Sequence, residues 1–370
     1  MKVLFMTNIP SPYRVNFFNE FGKLCDLTVT FEKTASDERD MSWKNYRFDN
    51  FKGVFLKGIS INTDTAVCFD IIKYVKDRSF DKIICADFSS PTGMIAIQYM
   101  RNHGIEYWLE SDGGFAKNGK GIKEKVKKYF ISGAGAYFST SDQHDKYYTA
   151  YGAEPDKIYR YPFTSHYKND ILDRPLSAEE KLLYKKKLGL PDNKMILYVG
   201  QFIERKGIDI LLKSISNWDE KYTLVLVGGK KENEYLQKFS QYISDNISIV
   251  EFKLKDELSD YYKAADLFVL PTRYDIWGLV INEAMAYGIP VITTDKCVSG
   301  LELIENELNG YITETENTNQ LASKINRILS DDELRLNMAV NNLSKIRNYT
   351  IEEMAAHHME VLEKQMGEIT

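Results

Sequence analysis

The stretch PTRYDIWGLVINEAMAYGIPVITT, residues 271–294, decides the fold class. The apolar run before it, residues 267–270, reads as a strand that stops at Leu270 and Pro271. A loop carrying Arg273, Asp275 and Trp277 follows, and a helix opens near Gly278. Gly288 closes that helix, and Pro290 leads into a further strand at 291–293. A strand, a helix and a strand in so short a space imply parallel strands joined by a right-handed crossover. The expectation is an α/β protein.

The alternation extends outward from this stretch. In the second half, strands are expected at 195–199, 222–227 and 247–252, with helices at 207–215, 235–243 and 258–265. In the first half, strands are expected at 2–7, 27–31, 82–86, 105–109 and 136–139, and helices at 14–24, 66–76 and 93–101. Residues 161–176 lack periodicity and form a seam. After it, Ser177 and Glu180 make a capping box, and the helix they start ends at Gly189 and Pro191. The pattern predicts two doubly wound domains, 1–165 and 190–345, a count that 370 residues allow. The tail is expected to be helical, and its last part, about 346–370, can pack back on the first domain. Ligands of open α/β sheets sit at the carboxyl ends of the strands, so the two domains are expected to face a central cleft.

Hydrophobic residues make up 44 % of the chain and charged residues 27 %, ample for two cores. A net charge of −5 argues against a general nucleic-acid binder. The four cysteines, Cys25, Cys68, Cys85 and Cys297, are scattered, with neither a C-x-x-C pair nor a histidine at ligand spacing. Reduced thiols are expected. The first apolar run is too short for a signal peptide or a membrane span, so a cytoplasmic location is expected.

The chemistry expected at residues 271–294 is that of an anionic, hydroxyl-rich ligand. The first N–H groups of a helix lack internal partners, and the dipole there is positive. Gly278 permits close approach of a ligand to the backbone. Glu283, inside the helix, can accept from a vicinal diol such as a ribose, and Asp275 from another hydroxyl-rich group. Read alone, the stretch is equally a strand, loop and helix bearing solvated acids. A second turn, after the strand that ends at Gly200, places Arg205 and Lys206 just before a helix at Gly207. Two cations at a helix start can hold a diphosphate, though such a pair is also common on solvated surfaces.

Asp275, Trp277, Gly278, Leu279, Glu283, Ala284, Met285, Ala286, Gly288, Pro290 and Val291 resemble, in order, the E-x7-E motif of the retaining GT-B glycosyltransferases of family 4 (glycosyl transferases group 1). Resemblance is strong over about 195–330, where Gly228, Gly229, Gly300, Asn309 and Gly310 also match. It implies a GT-B fold of two Rossmann-like domains and a nucleotide-sugar donor site in the second. Arg205 and Lys206 match the pair that binds the donor diphosphate, and Glu283 matches the acid that holds the ribose. Asp275 matches the acid at the transferred sugar, where the family usually has Glu, so this acid is one methylene shorter. Gly200, Trp277, Gly278 and Leu279 fall in the donor site, with Lys253 and Leu254 where the base is contacted. A UDP-sugar is the expected co-substrate. The chain has no D-x-D pair, so no metal and no other cofactor are expected.

In the first half, Tyr13 and Arg14 follow the first strand and are candidates for acceptor binding, or belong to a solvated turn at a helix start. Glu110 and Asp112 end another strand where the family often has a histidine. Either could accept the acceptor hydroxyl's proton or bind the donor sugar, and a turn with a capping Asp is the alternative. In the basic segment Lys117–Lys128 and the residues after it, Lys123, Lys127 and Lys128 flank Ile122, Val126, Tyr129 and Phe130 on one helical face. Such a helix can lie on an anionic membrane surface, here the inner face of the cell membrane, or pack on its own sheet. The function implied is retaining transfer of a hexose-type sugar to a glycan or lipid-linked acceptor, in surface polysaccharide or glycolipid assembly. The alternatives are a nucleotide-sugar epimerase on the same fold and a non-catalytic nucleotide-binding partner subunit.

Overall fold

The computed structural model describes residues 1–34, 47–116, 119, 121–216 and 222–367. The chain divides into two compact units, one of residues 1–167 and 349–370, the other of residues 168–348. Each is an α/β unit around one parallel sheet.

Unit 1 runs β1 (Lys2–Thr7), α1 (Pro12–Phe21), β2 (Asp26–Phe31), β3 (Lys52–Phe55), β4 (Ile59–Ser60), β5 (Ala66–Val67), α2 (Ile72–Val75), β6 (Lys82–Cys85), α3 (Pro91–Asn102), β7 (Trp108–Glu110), α4 (Ile122–Ile131), β8 (Ala136–Ser139), α5 (Asp142–Ala150) and β9 (Ile158–Arg160). Its main sheet is ordered β3-β2-β1-β6-β7-β8-β9, all parallel. Unit 2 runs α6 (Ala178–Lys187), β10 (Lys194–Val199), α7 (Ile208–Ile215), β11 (Tyr222–Val227), α8 (Glu234–Gln237), β12 (Ile247–Val250), α9 (Lys255–Ala264), β13 (Leu267–Leu270), α10 (Leu279–Ala286), β14 (Val291–Thr294), α11 (Val298–Leu303), β15 (Gly310–Thr313), α12 (Thr318–Ser330) and α13 (Asp332–Ile346). Its sheet is ordered β12-β11-β10-β13-β14-β15, again all parallel. The chain ends with α14 (Ile351–Gly367), which packs on α1 of unit 1.

The central strands are buried from end to end, as a sheet covered on both faces requires. Two expected helices shrink. Over 66–76, Ala66 and Val67 pair with β4, the Ala66 N–H is taken by Glu32 Oε2 and its carbonyl by the Thr92 hydroxyl. A 3-10 turn at Phe69–Ile71 and the short α2 are what remains helical there. Over 235–243, α8 stops after one turn and a 3-10 turn at Ser240–Tyr242 follows. The β3, β9 and β15 strands are short and lie toward the sheet edges, without the continuous apolar run that marks the central ones. The capping box of Ser177 and Glu180 is present. All four cysteines are free thiols. Of the basic stretch at 117–130, Lys117, Asn118 and Lys120 lie outside the described residues, and residues 122–130 lie in α4. No described helix is long and apolar enough to cross a membrane.

His144 in α5 is fully buried. Its Nδ1 accepts the Thr140 N–H at 3.2 Å and its Nε2 lies 2.8 Å from Ser111 Oγ, a set that suits a neutral ring. Burial, only partly offset by Glu110, pushes its pKa down to about 3. Below about pH 6.5 the unfolded chain takes a proton that the folded chain refuses. Stability held by this ring is therefore complete above that pH and declines toward pH 3, by up to about 1.4 kcal/mol per pH unit. His144→Gln should flatten the fall in denaturant midpoint between pH 6.5 and 4.5 relative to the parent. An unchanged slope would refute the assignment.

Candidate functional site

Strand order in unit 2 reverses between β10 and β13, and the crevice at such a point is where open α/β sheets take ligands. The loops leaving these strands are joined through backbone. The Arg205 carbonyl accepts from the Arg273 N–H at 2.8 Å and from the Thr272 hydroxyl at 2.9 Å. Gly207 stands before α7 with φ +70°, and a Cβ there would lie 1.9 Å from the Pro271 carbonyl oxygen. Only glycine lets the two loops touch.

These contacts bring Arg205, Lys206 and Asp275 together. Lys206 Nζ forms an ion pair with the buried Asp275 carboxylate. Arg205 Nη1 donates to the Tyr274 carbonyl at 3.0 Å and lies 3.8 Å from Asp275 Oδ1. Asp275 is held by its own backbone, its N–H donating to Lys296 O at 2.9 Å and its carbonyl accepting from Val298 N at 3.2 Å. Beneath them, Asp209 in the first turn of α7 accepts from both Arg273 Nη atoms at 2.8 and 2.9 Å and from the Tyr235 hydroxyl at 2.6 Å. Burial would raise this carboxyl, but Arg273 and Tyr235 outweigh it and hold it down at about 2. The pair clamps the two loops a second time.

Gly278 takes φ +103° at the start of α10, and Leu279 is its first residue. Glu283 is half-buried in the second turn, with Oε2 accepting from the Tyr262 hydroxyl at 2.8 Å. Burial, and then the Glu283 charge, push the Tyr262 phenol well up. Gly200 donates to Val227 O at 2.9 Å. Lys253 pairs with Glu257 at 3.0 Å, and the exposed Leu254 caps α9. Trp277 is placed otherwise than expected of a residue meeting the donor. Its side chain is 2 % exposed and its indole N–H donates to Asn282 Oδ1 at 2.8 Å, so it packs beneath α10 and sets the path of the loop.

In unit 1, Tyr13, Arg14, Glu110 and Asp112 also meet. Arg14 forms ion pairs with Glu110 and, at 2.6 Å, with Asp112 Oδ1, and the Tyr13 hydroxyl donates to Asp112 Oδ2 at 2.8 Å. Glu110 has 0 % exposure and is contacted further by the Tyr161 hydroxyl at 3.2 Å and by His358 Nε2 at 2.9 Å. Burial would raise the Glu110 carboxyl, but Arg14 and His358 together outweigh it and hold it at about 2. A carboxylate so buried and so well supplied with donors makes a poor proton acceptor. Arg14 is likewise buried and committed to the two acids. Asp112 and Tyr13 are the half-exposed members of this set.

Asp209, Tyr262 and His358 escape the sequence reading. Signals existed for two of them. Asp209 is an acid inside the apolar run IDILL, and His358 continues the buried face of Met354, Ala355 and Leu362. Gly207→Ala should lower the unfolding free energy by about 1–3 kcal/mol in chemical denaturation, because the added Cβ meets Pro271 and the left-handed backbone is strained. A variant as stable as the parent would show that the loops can separate without cost.

Residues 180–344 match the family model of glycosyl transferases group 1. An uncharacterised glycosyltransferase of Methanocaldococcus jannaschii is 35 % identical over 179 residues, 47 % of this chain and 45 % of that protein. The chain spans about half the length of the curated relatives it matches. Among solved structures, sucrose-phosphate synthase from Thermosynechococcus elongatus superposes with a TM-score of 0.77 at 19 % identity, over 100 % of both chains. Anabaena HepE in complex with UDP superposes with a TM-score of 0.78 at 15 % identity, over 99 % of this chain and 100 % of that one. The fold is that of the GT-B glycosyltransferases, with two Rossmann-like units.

Proposed function

We propose that the chain is a glycosyltransferase that moves a hexose-type sugar from a UDP-sugar to a hydroxyl of a glycan or lipid-linked acceptor, with retention. The observation that carries this reading is the meeting of Arg205, Lys206 and Asp275 at the reversal point of unit 2, inside the residues matched by the family model. Two cations beside a helix start suit a diphosphate. A diphosphate that draws Lys206 to itself releases Asp275 to accept from a hydroxyl of the transferred sugar. Glu283 offers its carboxylate to the ribose diol. The UDP bound in the Anabaena structure supports a uridine nucleotide.

In the reaction, the bond between the anomeric carbon and the β-phosphate oxygen breaks. The acceptor oxygen bonds that carbon from the same face, and its proton passes to the departing phosphate. Arg205, Lys206 and the nearby helix N-terminus meet the charge that develops on the leaving group, so no metal is required. Asp112, held by Arg14 and Tyr13, orients the acceptor. Glu110 serves by fixing Arg14 rather than by taking a proton.

The place of action proposed is the inner face of the cell membrane, in surface polysaccharide or glycolipid assembly. The support is the outer face of α4, where Ile122 is 82 % exposed and Val126 and Tyr129 are also exposed, among exposed Lys123, Lys125 and Lys128. Apolar groups ringed by lysines suit an anionic bilayer surface.

A thermal-shift series with UDP-, GDP-, ADP- and TDP-sugars should give its largest shift with a UDP-sugar. Lys206→Ala should weaken that binding about tenfold or more. No shift with any nucleotide, or a Lys206→Ala variant that binds like the parent, sinks the donor site. Activity should survive EDTA, and a loss restored by Mg²⁺ or Mn²⁺ would contradict the metal-free reading. Product analysis without acceptor separates transfer from epimerisation. Cosedimentation with phosphatidylglycerol vesicles should be salt-sensitive and fall several-fold in Ile122→Asp, and no binding at low salt removes the membrane role.

A further inference from the structure

Unit 1 has its own reversal point, between β1 and β6, and a recess lies there that none of the roles above employs. Met6 pairs with Thr30 of β2 on one side and with Cys85 of β6 on the other, so these three side chains share one face and line the recess. Glu32 and Asp87, just beyond the ends of β2 and β6, complete its polar wall. The recess has room for about one water-sized group.

One buried hydroxyl in this lining lacks a partner, and a half-buried carboxylate accepts from no described group. Thr30 Oγ1 belongs to a residue 1 % exposed and has no hydrogen-bond partner among the described residues. A buried hydroxyl without a partner is unfavourable, and it marks a place where a partner is brought from outside. Among the described residues nothing donates to the Asp87 carboxylate either. Glu32, by contrast, is satisfied by the Ser90 hydroxyl and the Ala66 N–H. The charges around Asp87 are Asp112, Asp64, Glu32 and Arg14, and Arg14 is already shared by Glu110 and Asp112.

The chemistry of the missing partner follows. Three neighbouring carboxylates repel a phosphate or a carboxylate. An ammonium would donate to Asp87 but give the Thr30 proton no acceptor. A hydroxyl does both, giving its proton to Asp87 and accepting from Thr30. We propose that the recess is a specificity subsite that receives one hydroxyl of an acceptor sugar, with Thr30 donating to it and Asp87 accepting from it. The inference rests on the reading of the chain as a glycosyltransferase. It places the discrimination between acceptors in unit 1 at the ends of β2 and β6. Burial, and then Asp112, raise the Asp87 carboxyl to about 6, so a hydroxyl that donates to it stabilises its charged form.

The test uses the full chain and saturation-transfer NMR with methyl α-glucopyranoside, methyl α-galactopyranoside, methyl α-mannopyranoside and their monodeoxy forms. At least one parent sugar is expected to bind, and loss of one particular hydroxyl should weaken it about tenfold or more. Thr30→Val, nearly isosteric, and Asp87→Asn should each weaken the parent sugar to a similar degree and leave the deoxy form unaffected. UDP binding by both variants should match that of the parent protein. Equal binding of the sugar by Thr30→Val and the parent, or no hydroxyl in the panel that matters, overturns the proposal and leaves the recess as the seat of a single water. Failure of the parent protein to bind UDP would instead overturn the glycosyltransferase reading, which separates the two.

Discussion

Glu110 gives up water at the end of β7, and segments remote in sequence are drawn to it: Arg14 in α1, Tyr161 after β9 and His358 in α14. A carboxylate buried this deeply is tolerated only when cations and donors surround it, since desolvation alone costs several kcal/mol per ion. The arrangement is therefore close to all-or-none. Removing one partner leaves a charge stranded in the interior, typically at a cost of about 3–5 kcal/mol. Satisfying all of them sets where α1 and α14 lie against the sheet. Aromatic rings reinforce the same arrangement, with His358 against Phe17, Phe138 and Tyr161. The outward branch of the network, from Arg14 to Asp112 and Tyr13, carries this rigidity to the carboxyl edge of the sheet.

The two sheets share one strand order about their reversal points, yet the chemistry placed there is opposite in sign. In unit 2 the edge presents Arg205 and Lys206 and places Asp275 against them. In unit 1 it presents Glu32, Asp87 and Asp112, with Arg14 already bound. Under the proposed function, a phosphorylated molecule and a neutral polyol would be sorted by electrostatics before any close contact forms. The same architecture serves both because the fold supplies only the location, while loop residues supply the charge.

The central strands were legible in the sequence because they are buried on both faces and so are continuously apolar, as in FVL at 268–270 and ILYV at 196–199. The meeting of Arg205, Lys206 and Asp275 followed from the family resemblance, since spacing alone left them as solvated groups. Ala66 and Tyr235 show the limit. Both sit in stretches with helical spacing, and at Ala66 hydrogen bonds to Glu32 and Thr92 take the backbone groups a helix would need. The burial of Trp277, Glu110 and Arg14 was not legible for a related reason. Each looks like a ligand-facing group when read by residue type, and only tertiary pairing shows it turned inward. His358 lies 248 residues from its partner Glu110, a separation at which spacing carries no information.

Because α14 belongs to unit 1 while residues 168–348 form unit 2, the first unit is discontinuous in the chain and the second is not. During synthesis, unit 2 can close as soon as its own residues leave the ribosome. Unit 1 must wait, its α1 face uncovered and the Glu110 carboxylate short of one donor, until α14 is released. A stop codon or a cut shortly before α14 would therefore harm the half of the molecule that was made first.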